Sequence, residues 1–179
     1  MRVIAGRFGG RRLAAPRGRD TRPTADRVRE ALFSTLGPLG GETVLDLFAG
    51  SGALAIEALS RGAARAVLVE RDARAAEVIR SNLQALGVGE DEARVVVAPA
   101  RSALRDARAR GATYDLVFLD PPYRSAATLG RELSDALEGL LAPGARVVSE
   151  SDHRAPLELT LPLDHERRYG DTLIRIHTA

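Results

Sequence analysis

From Thr43 onward, short apolar runs of strand length alternate with amphipathic stretches of helix length, and this rhythm sharply limits the folds open to the chain. Residues 43–48, 66–70, 94–98, 115–120 and 145–150 read as strands, with helices near 53–61, 72–86, 101–110 and 126–142 between them. Runs such as Val44-Leu45 and Leu116-Val117-Phe118-Leu119 lack polar alternation, so both faces of those strands must be covered. The reading is an α/β chain with a doubly wound, Rossmann-like, mostly parallel sheet. Residues 166–169 and 172–178, turned at Gly170-Asp171, depart from the rhythm and predict an antiparallel hairpin closing the sheet edge.

Two further elements precede the alternation. Residues 1–19 mix Arg and Gly with short apolar groups (Val3-Ile4, Leu13-Ala14-Ala15), which suggests two short strands turned at Gly9-Gly10. Residues 24–36 predict a helix with Ala25, Val28, Ala31, Leu32 and Leu36 on one stripe, stopped by Gly37-Pro38. The expected organisation is an Arg-rich arm over residues 1–20 on a single domain over 21–179.

Composition removes several chemistries. All 26 basic residues are Arg, and Cys is absent. Without Lys there is neither a Schiff-base amine nor a phosphate-loop lysine. Without Cys there are no disulfides, thiolate metal sites or thiol nucleophile, including the one needed to methylate a pyrimidine carbon. His153, His165 and His177 lack metal-ligand spacing, so no metal is expected. A 45% hydrophobic and 28% charged composition, with no long apolar run, suits a soluble globular protein without a membrane segment; a cytoplasmic monomer is expected. The net charge of +2 conceals an asymmetry: residues 1–29 carry nine Arg against two acids, or +7, leaving 17 Arg against 22 acids, or −5, for the rest.

The first parallel strand runs into Asp46-Leu47-Phe48-Ala49-Gly50-Ser51-Gly52, where two glycines allow a tight turn and close backbone approach to a ligand. Glu70 ends the next strand, where a carboxylate can accept bonds from ribose hydroxyls. The loose dinucleotide pattern Gly50-x-Gly52-x-x-Ala55 is also met. Asp46, however, puts a carboxylate beside the loop, which suits a cationic sulfonium and ammonium better than a pyrophosphate. S-adenosylmethionine is therefore the better fit.

Asp120-Pro121-Pro122-Tyr123 follows the fourth strand and emerges in the same crevice. The prolines stiffen the chain and leave the Asp120 carboxylate and the Pro121 carbonyl as fixed acceptors. Two acceptors can grip both N–H groups of a planar exocyclic amine and turn its lone pair toward a methyl donor. Tyr123 can stack on the base. Asn82, in the helix after Glu70, reads as an exposed polar position without a role.

The ordered set Asp46–Gly52, Glu70 and Asp120–Tyr123 resembles class I S-adenosylmethionine-dependent amino methyltransferases. The flanks Arg2-Val3-Ile4-Ala5-Gly6, Gly10-Arg11-Arg12-Leu13, Thr21-Arg22-Pro23-Thr24, Arg27-Val28-Arg29-Glu30-Ala31-Leu32-Phe33 and Tyr169-Gly170-Asp171-Thr172 are similar to the RsmD family, whose members methylate a guanine N2 amine in 16S rRNA. The resemblance implies that Asp46, Gly50 and Gly52 surround the methionine moiety, Glu70 the ribose, and Asp120 to Tyr123 the guanine. Arg22, Pro23 and Thr24 would lie near the cofactor, and Phe48, Ala49, Ser51, Arg71 and Ala100 complete the expected cofactor set. The stretch Ala98-Pro99-Ala100-Arg101 lacks the acid or amide that many class I enzymes place against adenine, so backbone groups are expected there.

Asp120, Pro121 and Tyr123 are the expected catalytic residues; Arg2, Arg7, Arg11, Arg12, Pro122 and Tyr123 are expected to meet RNA. The partner would be 16S rRNA or the small ribosomal subunit. A DNA amine methylase, a nicotinamide oxidoreductase and a non-catalytic RNA-binding module remain as rivals. A DNA enzyme would be expected to carry an extra reading domain, and an oxidoreductase a proton relay where Pro121-Pro122 stands.

Overall fold

A computed structural model describes residues 1–16, 23–121 and 126–179, with the side chains of 23–25 and 126–128 outside the description. Among the described residues five helices, α1 (Pro23–Leu36), α2 (Ala53–Ser60), α3 (Ala73–Leu86), α4 (Ala100–Ala109) and α5 (Ala126–Leu137), surround seven strands. The strands are β1 (Thr43–Asp46), β2 (Arg65–Glu70), β3 (Ala93–Val97), β4 (Tyr114–Leu119), β5 (Leu141–Asp152), β6 (Leu163–Tyr169) and β7 (Thr172–Thr178). They form one sheet in the order β3-β2-β1-β4-β5-β7-β6. The first five run parallel, and β7 pairs antiparallel with both β5 and β6. The doubly wound sheet and its antiparallel closing hairpin are as the sequence predicts.

The polarity of the strands explains the two-sided cover. Val44, Leu68, Phe118, Val148 and Ile174 face one core with α1, α2 and α3, whereas Leu45, Val69, Val117, Leu119 and Val147 face the other with α4 and α5. Successive side chains on a strand point to opposite faces, so apolar residues at both parities require a helix layer on each side. No helix among the described residues is long and apolar enough to cross a membrane.

Three local expectations change. The stretch expected as helix to residue 142 leaves the helix after Leu137: Leu140 N–H returns to Leu137 O at 2.9 Å, and Gly139 adopts φ 74°. Residues 141–144 belong to β5 instead, where pairing with β4 shifts register between Tyr114 and Leu116. The N-terminal segment forms a single antiparallel bridge, Arg2 with Arg12, rather than two strands turned at Gly9-Gly10. Its reversal is built from the bonds of Gly9 N–H to Gly6 O (3.0 Å) and Arg11 N–H to Phe8 O (3.0 Å). Asn82, expected on the surface, is 4% exposed, because it falls on the same stripe of α3 as Ile79, Leu83 and Leu86.

The N-terminal segment docks through polar groups as well as through buried Val3 and Leu13. Glu57, fully buried in α2, accepts the N–H groups of Ile4 (2.7 Å) and Ala5 (3.0 Å) and pairs with Arg61 at 2.7 Å. Gly6 lies so close to the end of α2 that an added Cβ would stand 1.8 Å from Ser60 O, at φ +80°. Gly6→Ala is expected to displace the segment and destabilise the protein by roughly 2–5 kcal/mol, read as a fall in Tm together with new proteolysis before residue 14.

Candidate active site

The site forms where parallel strands end. Asp46 pairs with Leu68 of β2 and Phe118 of β4, so the carboxyl ends of β1, β2 and β4 lie side by side. Asp46 and Glu70 each stand two residues beyond a side chain of the α1–α3 core (Val44 and Leu68), and therefore on that same face. Asp120 follows β4 next to them and is half-buried, with Pro121 buried behind it.

Asp46 is 1% exposed, and neither of its carboxylate oxygens closes a well-formed hydrogen bond among the described residues. Burial and then the neighbouring Asp120 carboxylate push its pKa up to about 7; the Ala55 and Phe48 amides pull the other way, and Glu70 adds a smaller upward push. A buried acid left this way is poorly satisfied by its own protein and well placed to receive a cationic group.

The glycine turn hangs from the second strand. Glu70 accepts Gly50 N–H at 2.9 Å through one oxygen and Asp72 N–H at 2.9 Å through the other, which leaves each oxygen a further lone pair. Ala49 N–H bonds Val69 O at 2.9 Å, and Gly50 and Gly52 sit at φ 57° and 81°. At Gly52 the constraint is helix-to-strand packing: a Cβ would press on Leu68 (3.1 Å), Ile56 (3.3 Å) and Ile79 (3.3 Å). This refines the expectation that both glycines serve ligand approach.

Beside the turn opens a cleft lined by Leu47, Phe48, Val69, Glu70, Arg71, Ala98 and Ala100. It gathers Phe48, Glu70, Arg71 and Ala100 in one place, next to Ala49, Gly50, Ser51 and Gly52. Ala100, which lines the cleft, opens α4 with Pro99 as its cap and no side-chain cap bond, so the first-turn amides of α4 lie beside the cleft. Arg22, Pro122 and Tyr123 fall outside the described residues; Pro23 and Thr24 begin α1, with their side chains undescribed. A second cavity, beneath α4 near Arg94, Arg110 and Tyr114, lies toward the opposite end of the strands.

All four expected RNA-facing arginines are exposed, Arg2 and Arg12 at the bridge that joins the two ends of the N-terminal segment; Arg7 in addition pairs with Glu92, and Arg11 donates to Ala85 O at 2.7 Å. Sequence reasoning missed Glu57, although a lone acid inside the apolar helix ALAIEALS signals a buried partner. It also missed Glu150, whose pKa is raised by burial and by Asp120; its neighbour Ser149 pairs with Leu119, which sets Glu150 beside Asp120.

Sheet order and the position of this crevice place the chain in the class I methyltransferase fold. A family model described as conserved hypothetical protein 95 matches residues 1–178, and the chain belongs to that family, the RsmD family. It is 43% identical over 184 residues to ribosomal RNA small subunit methyltransferase D of Escherichia coli strain K12, covering 99% of this chain and 89% of the relative. The protein of the same name from Haemophilus influenzae is 36% identical over 160 residues, covering 88% and 81%. The solved structure of yhhF from Escherichia coli matches with a TM-score of 0.84 at 39% identity, covering 99% of this chain and 97% of that one.

Proposed function

We propose that the protein transfers a methyl group from S-adenosylmethionine to the exocyclic N2 amine of a guanine in 16S rRNA of the small ribosomal subunit. The observation that carries this reading is the buried Asp46 carboxylate at the mouth of the glycine turn, one strand away from Asp120-Pro121. Relatives named small subunit rRNA methyltransferase D support the substrate class.

The residues fit such a cofactor. Asp46 would offer its poorly satisfied carboxylate to an ammonium group, Glu70 its remaining lone pairs to ribose hydroxyls, and the first amides of α4 would be the groups available to the adenine. S-adenosylmethionine, when bound, supplies an electrophilic methyl group. The Asp120 carboxylate and the Pro121 carbonyl accept the two N–H groups of the guanine amine, holding the nitrogen with its lone pair directed into the crevice. Pro122 and Tyr123 would meet the base, and the exposed Arg2, Arg7, Arg11 and Arg12 would offer phosphate contacts. The protein would act as a cytoplasmic monomer.

Labelled S-adenosylmethionine offered with naked 16S rRNA, assembled small subunits and DNA in parallel, followed by mapping of the methylated base, tests this function. Label on N2 of a guanine in 16S rRNA is the expected result; label only in DNA, or none at all, overturns it. In the same site, Glu70→Ala is expected to weaken cofactor binding about tenfold to a hundredfold. Unchanged affinity by calorimetry would remove Glu70 from the ribose position.

A further inference from the structure

We infer that Asn82 is a positioning residue for the cofactor loop, holding Ser51 against the N-terminal segment so that residues 1–14 serve as part of the cofactor site. This inference rests on the cofactor reading above. Asn82 is buried on α3, and its amide makes three hydrogen bonds: Oδ1 accepts Ala14 N–H at 2.8 Å, while Nδ2 donates to Ala14 O at 3.1 Å and to Ser51 O at 3.0 Å. The paired bonds to Ala14 imitate a strand partner, so α3 grips the backbone of the segment whatever its side chains. The third bond holds the carbonyl at the centre of Gly50-Ser51-Gly52.

Only an amide of this length meets the whole demand. Both N–H groups are spent on carbonyls and Oδ1 on an amide; a carboxylate would face two carbonyl oxygens, and an apolar side chain would take the partner from the buried Ser51 carbonyl and from two part-buried backbone groups of Ala14. A second contact runs the same way, since Ser51 Oγ lies 3.3 Å from Met1 Sδ. Glu70 and Asn82 therefore hold neighbouring points of one turn from two elements: Glu70 on β2 takes Gly50 N–H, and Asn82 on α3 takes Ser51 O. Two glycines leave this turn little stiffness of its own, so its shape depends on these outside holds.

The test is cofactor binding and turnover by Asn82→Ala and Asn82→Asp in the full chain. Calorimetry with S-adenosylhomocysteine is expected to show about a tenfold or greater loss for Asn82→Ala, and a larger one for Asn82→Asp. At saturating S-adenosylmethionine, kcat per folded enzyme stays within about twofold while the KM for the cofactor rises, the signature of lost binding without lost chemistry. Hydrogen exchange at the Gly50–Gly52 amides, measured without cofactor, is expected to quicken. Ala14→Pro, which removes the N–H that Asn82 accepts and also fixes φ at that position and restricts Leu13, should move affinity the same way, and serves if the Asn82 variants do not fold. A lowered Tm with unchanged cofactor KM and unchanged loop exchange would reduce Asn82 to a core residue and overturn the inference. If the wild-type chain fails to bind S-adenosylhomocysteine, the cofactor reading falls, and the cofactor-free exchange measurement still decides whether Asn82 holds the loop.

Discussion

Asp120→Ala is expected to lower the rate of methyl transfer by about a hundredfold to ten-thousandfold, the range set by removing a positioned group that acts on the reacting atoms. Affinity for S-adenosylmethionine should change little, because the glycine turn is held by Glu70 and Asn82 and not by β4. Removing the carboxylate also takes away the second-largest cause of the raised pKa of Asp46 and the like charge beside Glu150. Thermal melts of the variant at pH 8 read whether any loss of activity comes from unfolding instead. Single-turnover transfer with cofactor bound, measured beside thermal melts, checks both halves. Full activity would remove Asp120 from the reaction.

Asp46→Asn should separate stability from function. A carboxyl whose folded pKa stands near 7, above its ordinary value near 4, binds more protons folded than unfolded. Its ionisation therefore costs nothing below about pH 4, and stability falls as pH rises from there through about 7, by a few kcal/mol at most. The Asp46→Asn variant should lose this slope and melt several degrees higher than the wild type at pH 8, at about 2–4 °C per kcal/mol for a chain of this length. Its affinity for S-adenosylmethionine should fall about a hundredfold, because a buried charged acceptor for the ammonium is gone. In the wild type, binding should release a proton and tighten as pH rises from about 5.5 to 7. Calorimetry in buffers of different ionisation enthalpy reads that proton directly. A melting profile for Asp46→Asn that matches the wild type at pH 8 would show that Asp46 is solvated rather than strained.

Fold and site were legible in the sequence to different degrees. The covered, parallel sheet follows from runs such as Leu116-Val117-Phe118-Leu119, because unbroken apolar residues need cover on both faces. The glycine turn, Glu70 and Asp120 stand at strand ends, and such positions are set by local pattern. Asn82 was misread because a polar side chain on a helix is usually solvated, and only its backbone partners at Ala14 and Ser51, 68 and 31 residues away, explain its burial. The same holds for Glu57, whose partners Ile4 and Ala5 lie more than 50 residues distant.

By itself the sequence determined the parallel core, the antiparallel closing hairpin, and the two motifs proposed to carry the chemistry, since each is written in periodicity or in adjacent residues. Tertiary structure alone decided that Asp46 is buried without a well-formed partner, that Glu150 neighbours Asp120, and that the N-terminal segment is clamped to α2 and α3 by Glu57 and Asn82. These depend on desolvation and on hydrogen bonds between groups far apart in the chain. Neither is a property of a residue's sequence neighbours; both exist only once the sheet has brought its strand ends together.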